Sequence, residues 1–497
     1  KATQGLANYL NKSGSENSVV IAYDSRHKSR EFALEAALVL AKNKIKAYVF
    51  QKITPTPVLS FAIRYLEATA GIVITASHNP KEYNGYKVYN CHGGQITDKM
   101  ALAITEEINQ VEDELQVSVL PQKEAEEKGL LIWLDEEVLS AYLAKTKGLV
   151  LRPDIIEENS FDLQIVYTPL HGTGYIPVSR LFKETGFKNV HIVEEQAKPD
   201  PDFSTVKYPN PEEHVAFRLA LNLAEKVQAD IVLATDPDAD RLGVAVRDEK
   251  GKYVILTGNQ LGALMIDYIL QMRKYKGNLP INGVVVKTIV TSSLGVEIAK
   301  SYGVGYLEVL TGFKYIGEKI KEFYENKNYT FIFGYEESCG FLIGDYVRDK
   351  DAVQACLVAA EMAAYYKTKK MSLLDRLQQL FEEYGYYREE VVSFTLQGIE
   401  GQERIGRIMD FLRENVPEVV GGINIAVVKD YLKPTGLPKA NVLHYTLEDG
   451  SWFCVRPSGT EPKLKIYFSV VGDSARDAEA RLVRLRGAVL KIINGIE

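Results

Sequence analysis

One short pattern occurs three times in this chain. AGIVITAS (70–77), ADIVLATD (229–236) and YTFIFGYE (329–336) each run through apolar residues and end, in one register, on a polar residue: Ser77, Asp236 and Glu336. A helix-like segment precedes each run. Apolar runs of this length read as buried strands, and core packing alone does not explain why three different polar residues share one register. Repeated α/β units would bring those strand ends toward one cleft, at the edge where open parallel sheets bind ligands. With 497 residues, the chain is too long for a single core and should divide into roughly three or four domains.

The first domain opens as a βαβ unit. Val19 to Tyr23 is a strand running into Asp24, Ser25 and Arg26, a helix covers about 29–44, and a second strand covers 45–50. The ThrProThrPro run (54–57) starts a helix that leads to the Ser77 strand. Pro80 stops that strand, and the run from Tyr86 to Asn90 returns Lys87 toward the Ser77 loop. Ser77 is the candidate nucleophile, although a serine and a histidine side by side also suit a plain surface turn. Helices are expected near 98–111 and 135–147, and the polar stretch 152–160 reads as a linker. The expected domains are 1–151, 152–257, 258–385 and 386–497.

Farther on, ThrProLeuHisGlyThrGly (168–174) is a glycine-rich turn without dinucleotide spacing, and His171 reads as a turn or interface residue. The irregular stretch 199–212 is long enough to be functional or mobile. Asp236, Asp238 and Asp240 alternate in a tight turn and can converge on one hard cation, with magnesium the default. Arg241 and Arg247 stand where an EF-hand would need glycine and glutamate, so that motif is excluded. Lys287 and Lys314 could meet an anion or simply face solvent. Glu336, Glu337 and Ser338 suit sugar hydroxyls, and Cys339 reads as a filler. After a strand from Trp452 to Val455, Arg456, Ser458, Gly459 and Thr460 combine a guanidinium, hydroxyls and free amides as a phosphate dianion requires.

A formal charge of −7 and a pI near 5.7 argue against a general nucleic-acid binder. Cys91, Cys339, Cys356 and Cys454 lack CxxC spacing, which fits a reducing compartment. No apolar run is long enough to cross a bilayer, and a cytoplasmic location is expected. The opening KATQGLANYLNK reads as the middle of a helix, so an upstream segment is expected.

The TASHNP, DPDADR, GYEESCG and RPSGTEPK loops, in this order, resemble the α-D-phosphohexomutase superfamily over nearly the whole chain. The resemblance implies three similar α/β domains with mixed sheets and a smaller α+β fourth domain around a central cleft. Ser77 would carry the catalytic phosphoryl group and, with Asp236, Asp238 and Asp240, hold magnesium. Arg241 would steady the phosphoryl oxygens, and His78 and Lys87 would assist proton transfer. Thr311, Gly312, Lys314, Glu336 and Ser338 would bind the sugar, and Arg456, Ser458, Gly459 and Thr460 the phosphate that does not react. The implied reaction interconverts glucose 1-phosphate and glucose 6-phosphate through glucose 1,6-bisphosphate, which also serves as activator. Pentose or mannose phosphate is the alternative substrate. The partners would be small sugar phosphates, with neither nucleic acid nor membrane, in a monomer or homodimer. The family's usual opening strand, with glycine and arginine, has no match in residues 1–17. Two other readings are a haloacid-dehalogenase-like phosphatase with Asp236 as nucleophile, and an inactive sugar-phosphate binding protein.

Overall fold

Strands form where β-branched and aromatic residues run together, and the computed structural model, which describes residues 1–14, 16–159, 162–396, 398–458 and 463–496, arranges them in four sheets. The first sheet holds β1 (Ser18–Tyr23), β2 (Lys46–Phe50), β3 (Ala70–Ile74), β4 (Tyr86–Asn90) and β5 (Leu131–Leu134), in the order β4-β3-β1-β2-β5. The second holds β6 (Gln164–Thr168), β7 (Asn189–Ile192), β8 (Ile231–Thr235), β9 (Leu242–Arg247) and β10 (Tyr253–Leu256), in the order β10-β9-β8-β6-β7. In the third, β11 (Gly283–Thr288), β12 (Gly305–Val309), β13 (Thr330–Glu336) and β14 (Gly340–Leu342) follow the order β12-β11-β13-β14.

The repeat seen in the sequence is also a repeat of topology. β3, β8 and β13 each pair in parallel with one neighbour, β1, β6 and β11 respectively. On its other side each pairs antiparallel with the strand that follows it, β4, β9 or β14. The sheets are therefore mixed, as expected. Each polar strand end also opens a connection that folds back as a hairpin. β3 and β8 are buried along their whole length, as strands covered on both faces must be.

The fourth sheet is antiparallel throughout: β15 (Tyr386–Thr395), β16 (Val419–Val420), β17 (Ile423–Asp430), β18 (Leu443–Leu447), β19 (Trp452–Pro457) and β20 (Lys463–Gly472), in the order β15-β20-β19-β18-β17-β16. Helices Gly398–Glu414 and Ala475–Asn494 bury Met409, Leu412, Leu482 and Val489 in one core with Phe453 and Ile466 of this sheet. The chain divides into two compact units. One comprises Lys1–Lys287, Ala299–Leu307 and Gly312–Arg376; the other comprises Thr288–Ile298, Glu308–Thr311 and Leu377–Glu497. Among the described residues, no helix is long and apolar enough to cross a membrane.

One expectation needs correcting. The stretch read as a linker carries the helix Pro153–Glu158, because Pro153 suits a first helical position and Ile155 and Ile156 give the turn an apolar side to bury.

Helix Ala352–Thr368 is buried almost all round and carries two acids with it. Asp351 caps it, accepting from the Gln354 amide and from the Tyr142 hydroxyl at 2.8 Å. Glu361 accepts from the Arg152 amide and keeps its second oxygen buried without a partner. Burial pushes both carboxyls up to about 7. Between the ordinary carboxyl range and about pH 7 the unfolded chain therefore releases these protons before the folded chain does, and stability falls as pH rises. Urea unfolding at about pH 5 and about pH 8 should show a smaller loss for Glu361→Gln than for the parent. An equal loss would remove Glu361 from the titration.

Candidate active site

Beyond β3 the chain turns sharply, and Ser77 takes φ 51°, a left-handed conformation that a residue with a Cβ adopts only when its surroundings impose it. Its amide donates to Thr75 Oγ1 at 2.8 Å, and its carbonyl accepts from Arg26 Nη2 at 2.6 Å. Arg26, just past β1, is buried and also donates to the carbonyls of Asn79, Pro80 and Tyr83. One guanidinium thus shapes the whole turn. Asp24 lies 3.1 Å from its Nε, and the same carboxylate accepts from Ser29 Oγ and Thr75 Oγ1 at 2.7 Å each. Held this way, Ser77 Oγ donates to Asp236 Oδ2 at 2.7 Å and lies 3.3 Å from His78 Nδ1.

The aspartates come from the turn between β8 and β9, where Ala239 at φ 52° folds the backbone tightly enough for alternate side chains to converge. All three carboxylates are buried, and oxygens from Asp236, Asp238 and Asp240 lie within 4.8 Å of one another. Asp236 Oδ1 accepts from the amides of Asp240 and Arg241 at 3.0 Å. Asp238 Oδ2 accepts from Lys87 Nζ at 2.9 Å and Thr56 Oγ1 at 3.0 Å. Asp240 Oδ2 lies 3.2 Å from Lys350 Nζ and 3.8 Å from Lys87 Nζ. Asp238 Oδ1 and Asp240 Oδ1 are buried with no partner at all.

Such crowding divides the protons unequally. Burial, then Asp238 and Asp240, pushes Asp236 far above the usual carboxyl range, whereas Lys87 holds Asp238 far below it in spite of burial. Two orphaned carboxylate oxygens beside Asp236 and a serine hydroxyl form a donor set of the kind a hard divalent cation takes. The residues therefore fit magnesium.

Lys87 and Lys350 are both half-buried, yet the surrounding carboxylates hold their ammonium groups charged, Asp238 foremost for Lys87 and Asp240 for Lys350. His78 behaves oppositely. Burial first, then Arg241, draws its imidazole down to about 2, so it is neutral at physiological pH. The Arg241 guanidinium pairs with Glu212 and keeps its Nε buried without a partner. Leu242 donates its amide to the Cys339 carbonyl at 3.0 Å, which ties the aspartate turn to the Glu336 turn. Glu336 is buried and accepts from the Gly312 amide at 3.1 Å; burial raises its carboxyl against the pull of Lys350 and Arg241. Ser338 is half-buried beyond it.

Ser77, His78, Lys87, the three aspartates, Arg241 and Glu336 thus form one cluster of contacting or mutually perturbing groups. The other candidates are placed differently. Lys314 donates to Asp98 Oδ1 at 2.6 Å, and Thr311 Oγ1 is buried without a partner. Lys287 is buried, and His171 is a turn residue held at the Lys198 carbonyl and Thr205 Oγ1. Arg456, in the other compact unit, faces Lys465 across the β19–β20 pair, and the Ser458 amide donates to the Lys463 carbonyl at 2.7 Å. Gly459 and Thr460 lie outside the described residues.

Sequence reasoning passed over Asp24, Arg26, Thr56, Glu212 and Lys350. Asp24 and Arg26 had a usable signal, since they end the strand next to β3.

A serine hydroxyl set on a buried aspartate cluster, within three α/β repeats and an antiparallel fourth sheet, defines an enzyme of the phosphohexomutase class. Residues 1–115, 140–251 and 257–384 match phosphoglucomutase/phosphomannomutase alpha/beta/alpha domains I, II and III, and residues 415–483 match the C-terminal domain. The chain belongs to the phosphoglucomutase/phosphomannomutase family. It is 40% identical over 482 residues to a phosphoglucomutase of Staphylococcus haemolyticus, covering 95% of this chain and 86% of that protein. Parafusin, a phosphoglucomutase from Paramecium, shares the fold with a TM-score of 0.77 at 18% identity, over 99% of this chain and 90% of the other. An N-acetylphosphoglucosamine mutase of Aspergillus fumigatus, solved with GlcNAc-6P and magnesium, gives 0.50 at 14% identity, over 88% and 93%.

The Asp24–Arg26 pair yields a direct test. Asp24→Asn leaves a buried guanidinium without its counter-charge, and equilibrium denaturation should show a loss of about 3–5 kcal/mol. A loss below about 1 kcal/mol, the worth of a surface pair, would mean that Asp24 does not hold the Ser77 turn through Arg26.

Proposed function

We propose that this chain interconverts glucose 1-phosphate and glucose 6-phosphate by way of a phosphoserine at Ser77 and glucose 1,6-bisphosphate. The observation that carries this reading is the Ser77 hydroxyl, 2.7 Å from Asp236 in a cluster whose two orphaned oxygens suit a divalent cation. The staphylococcal relative named above supports glucose phosphate over pentose or mannose phosphate. Asp236 has both oxygens committed to donors, which speaks against its acting as a phosphatase nucleophile.

In the first transfer the phosphoserine P–O bond breaks, a sugar hydroxyl takes the phosphoryl group and gives up its proton, and Ser77 is left as the alcohol. In the second, Ser77 Oγ gives up its proton and takes the other phosphoryl group of the bisphosphate, whose sugar O–P bond breaks to leave a protonated sugar hydroxyl. A magnesium ion, held by Asp236, Asp238, Asp240 and the oxygen of Ser77, would supply the charge neutralisation that phosphoryl transfer depends on. Arg241 steadies the phosphoryl oxygens. His78, held neutral, presents a ring nitrogen 3.3 Å from Ser77 Oγ and is assigned with Lys87 to proton transfer, while Lys87 and Lys350 stay charged as donors. Glu336 and Ser338 read sugar hydroxyls with Thr311, Gly312 and Lys314, and Arg456 and Ser458 are assigned the phosphate that does not react because of their donor chemistry. The four loops belong to domains assigned to 1–151, 152–257, 258–385 and 386–497. Cys91, Cys339, Cys356 and Cys454 are not joined in disulfides, which supports a cytoplasmic setting.

Ser77→Ala should abolish turnover while the protein stays folded, and mass spectrometry of the parent should find the phosphoryl group on Ser77. Near-normal activity in the folded variant would end the assignment, and phosphate on Asp236 would favour the phosphatase reading. Chelation should lower turnover by at least about tenfold, with recovery on adding magnesium. Full activity after exhaustive chelation would refute the metal role.

A further inference from the structure

A second positively charged cavity lies away from the reacting groups. It has a volume of about 320 Å³, and its wall includes Arg64, His92, Lys321 and Arg348 with Glu67 as the one carboxylate. Arg348 is only 2% exposed. Its Nε donates to the Asp345 carbonyl at 3.0 Å, and its Nη1 is buried with no partner. Arg64 also spends a donor on the Asp345 carbonyl, at 2.9 Å. Among the described residues, neither guanidinium has a carboxylate within ion-pair distance, and Lys321 reaches only Glu325, at 3.7 Å.

Burying the Arg348 guanidinium against a neutral carbonyl and the Tyr324 ring, beside the part-buried Arg64, is costly unless an anion completes the site. Burial first, then Arg64, lowers Arg348 to about 10, as crowded positive charge should. Burial and Lys321 lower His92 as well, so it serves as a hydrogen-bonding group and adds no charge. Glu325 answers Lys321, and the Asp345 carboxylate acts on both arginines without closing on either, so two guanidinium forks remain without an ion-pair partner, and planar forks of this kind match a phosphoryl group. Cys91, His92 and Lys321 also line an adjoining cavity of about 600 Å³, where Lys12 and Lys314 are already paired with Glu107 and Asp98. Beyond one phosphoryl group there is thus space for the body of a small molecule but no second set of unengaged cations. Arg348 stands two residues before Lys350, whose ammonium pairs with Asp240, so the cavity borders the reaction centre without sharing a residue with it.

We propose that this cavity is a second ligand site, which binds the phosphoryl dianion of a small phosphorylated metabolite between Arg64 and Arg348. Calorimetric titration with inorganic phosphate and with 3-phosphoglycerate, a phosphate ester that is not a hexose, tests it. The parent should bind one equivalent at this cavity, and that equivalent should weaken by at least about tenfold in Arg64→Gln and in Lys321→Gln. Both side chains are only part-buried, so these variants should keep the parent's melting temperature and its turnover of glucose 1-phosphate. Arg348→Gln, if it folds, should lose the equivalent altogether. Tighter binding of 3-phosphoglycerate than of phosphate would support a metabolite, and equal binding would point to free phosphate as the occupant. The proposal is overturned if folded Arg64→Gln and Lys321→Gln bind both probes with the parent's stoichiometry and affinity.

Discussion

Three carboxylates cannot share a dry turn unless cations share it with them, and much of the reaction centre follows from that constraint. Asp236, Asp238 and Asp240 are each at most 2% exposed. Lys87 reaches them from β4, on the first sheet, and Lys350 from beyond β14, on the third. The aspartate turn belongs to the second sheet, so its electrostatic balance needs residues from all three repeats. Thr56, on the helix before β3, adds a hydroxyl to Asp238 and its amide to the Asp238 carbonyl. The cluster proposed as the reaction centre is therefore also a joint between repeats.

The repeat topology explains why the chemistry can differ from loop to loop on one scaffold. Each functional turn sits where a strand with a parallel neighbour on one side meets an antiparallel partner on the other. The strands fix where the turn starts and the hairpin fixes where it returns, which leaves the intervening residues free to specialise. The first turn gives a serine on a strained backbone, the second three acids in one tight loop, and the third a glutamate held by a backbone amide. Gly172 shows how closely the supporting backbone packs: a Cβ there would fall 2.4 Å from Pro237 Cα, inside the aspartate turn. A neighbouring loop without a side chain is part of what lets that turn form.

Much of this was legible in the sequence for physical reasons. Buried strands declare themselves through unbroken β-branched runs, and an acidic alternation directly after such a run has few explanations other than a cation. The shared register of Ser77, Asp236 and Glu336 carried the repeat. Less visible were groups whose role depends on contacts far apart in the chain. Arg26 ends a strand, but the carbonyls it holds lie more than fifty residues away, and Lys350 meets an aspartate from another repeat, so neither contact is visible locally. The stretch 152–160 was misread because its polar residues hide Ile155 and Ile156, whose burial is decided by tertiary packing. Lys314 shows the same limit from the other side, since only the fold reveals that Asp98 already claims its charge.

Charge state then separates two residues that sequence had grouped together. His78 lies beside Ser77 and Lys87 beside Asp238, and both were expected to move protons. Burial acts on both in the same direction, against positive charge. Lys87 overcomes it because Asp238 and Asp240 lie within 4 Å, whereas His78 faces Arg241 and has no carboxylate that close. One therefore remains a cation and the other a neutral ring. A reversible double transfer needs a group that can take a proton from an attacking hydroxyl and a group that can keep a leaving oxygen from holding full charge. Two of the three carboxylates that suit a cation, Asp238 and Asp240, also keep Lys87 protonated, so the proposed metal site and the proposed acid share one electrostatic origin. His78 stays neutral because burial and Arg241 outweigh the pull of Asp238.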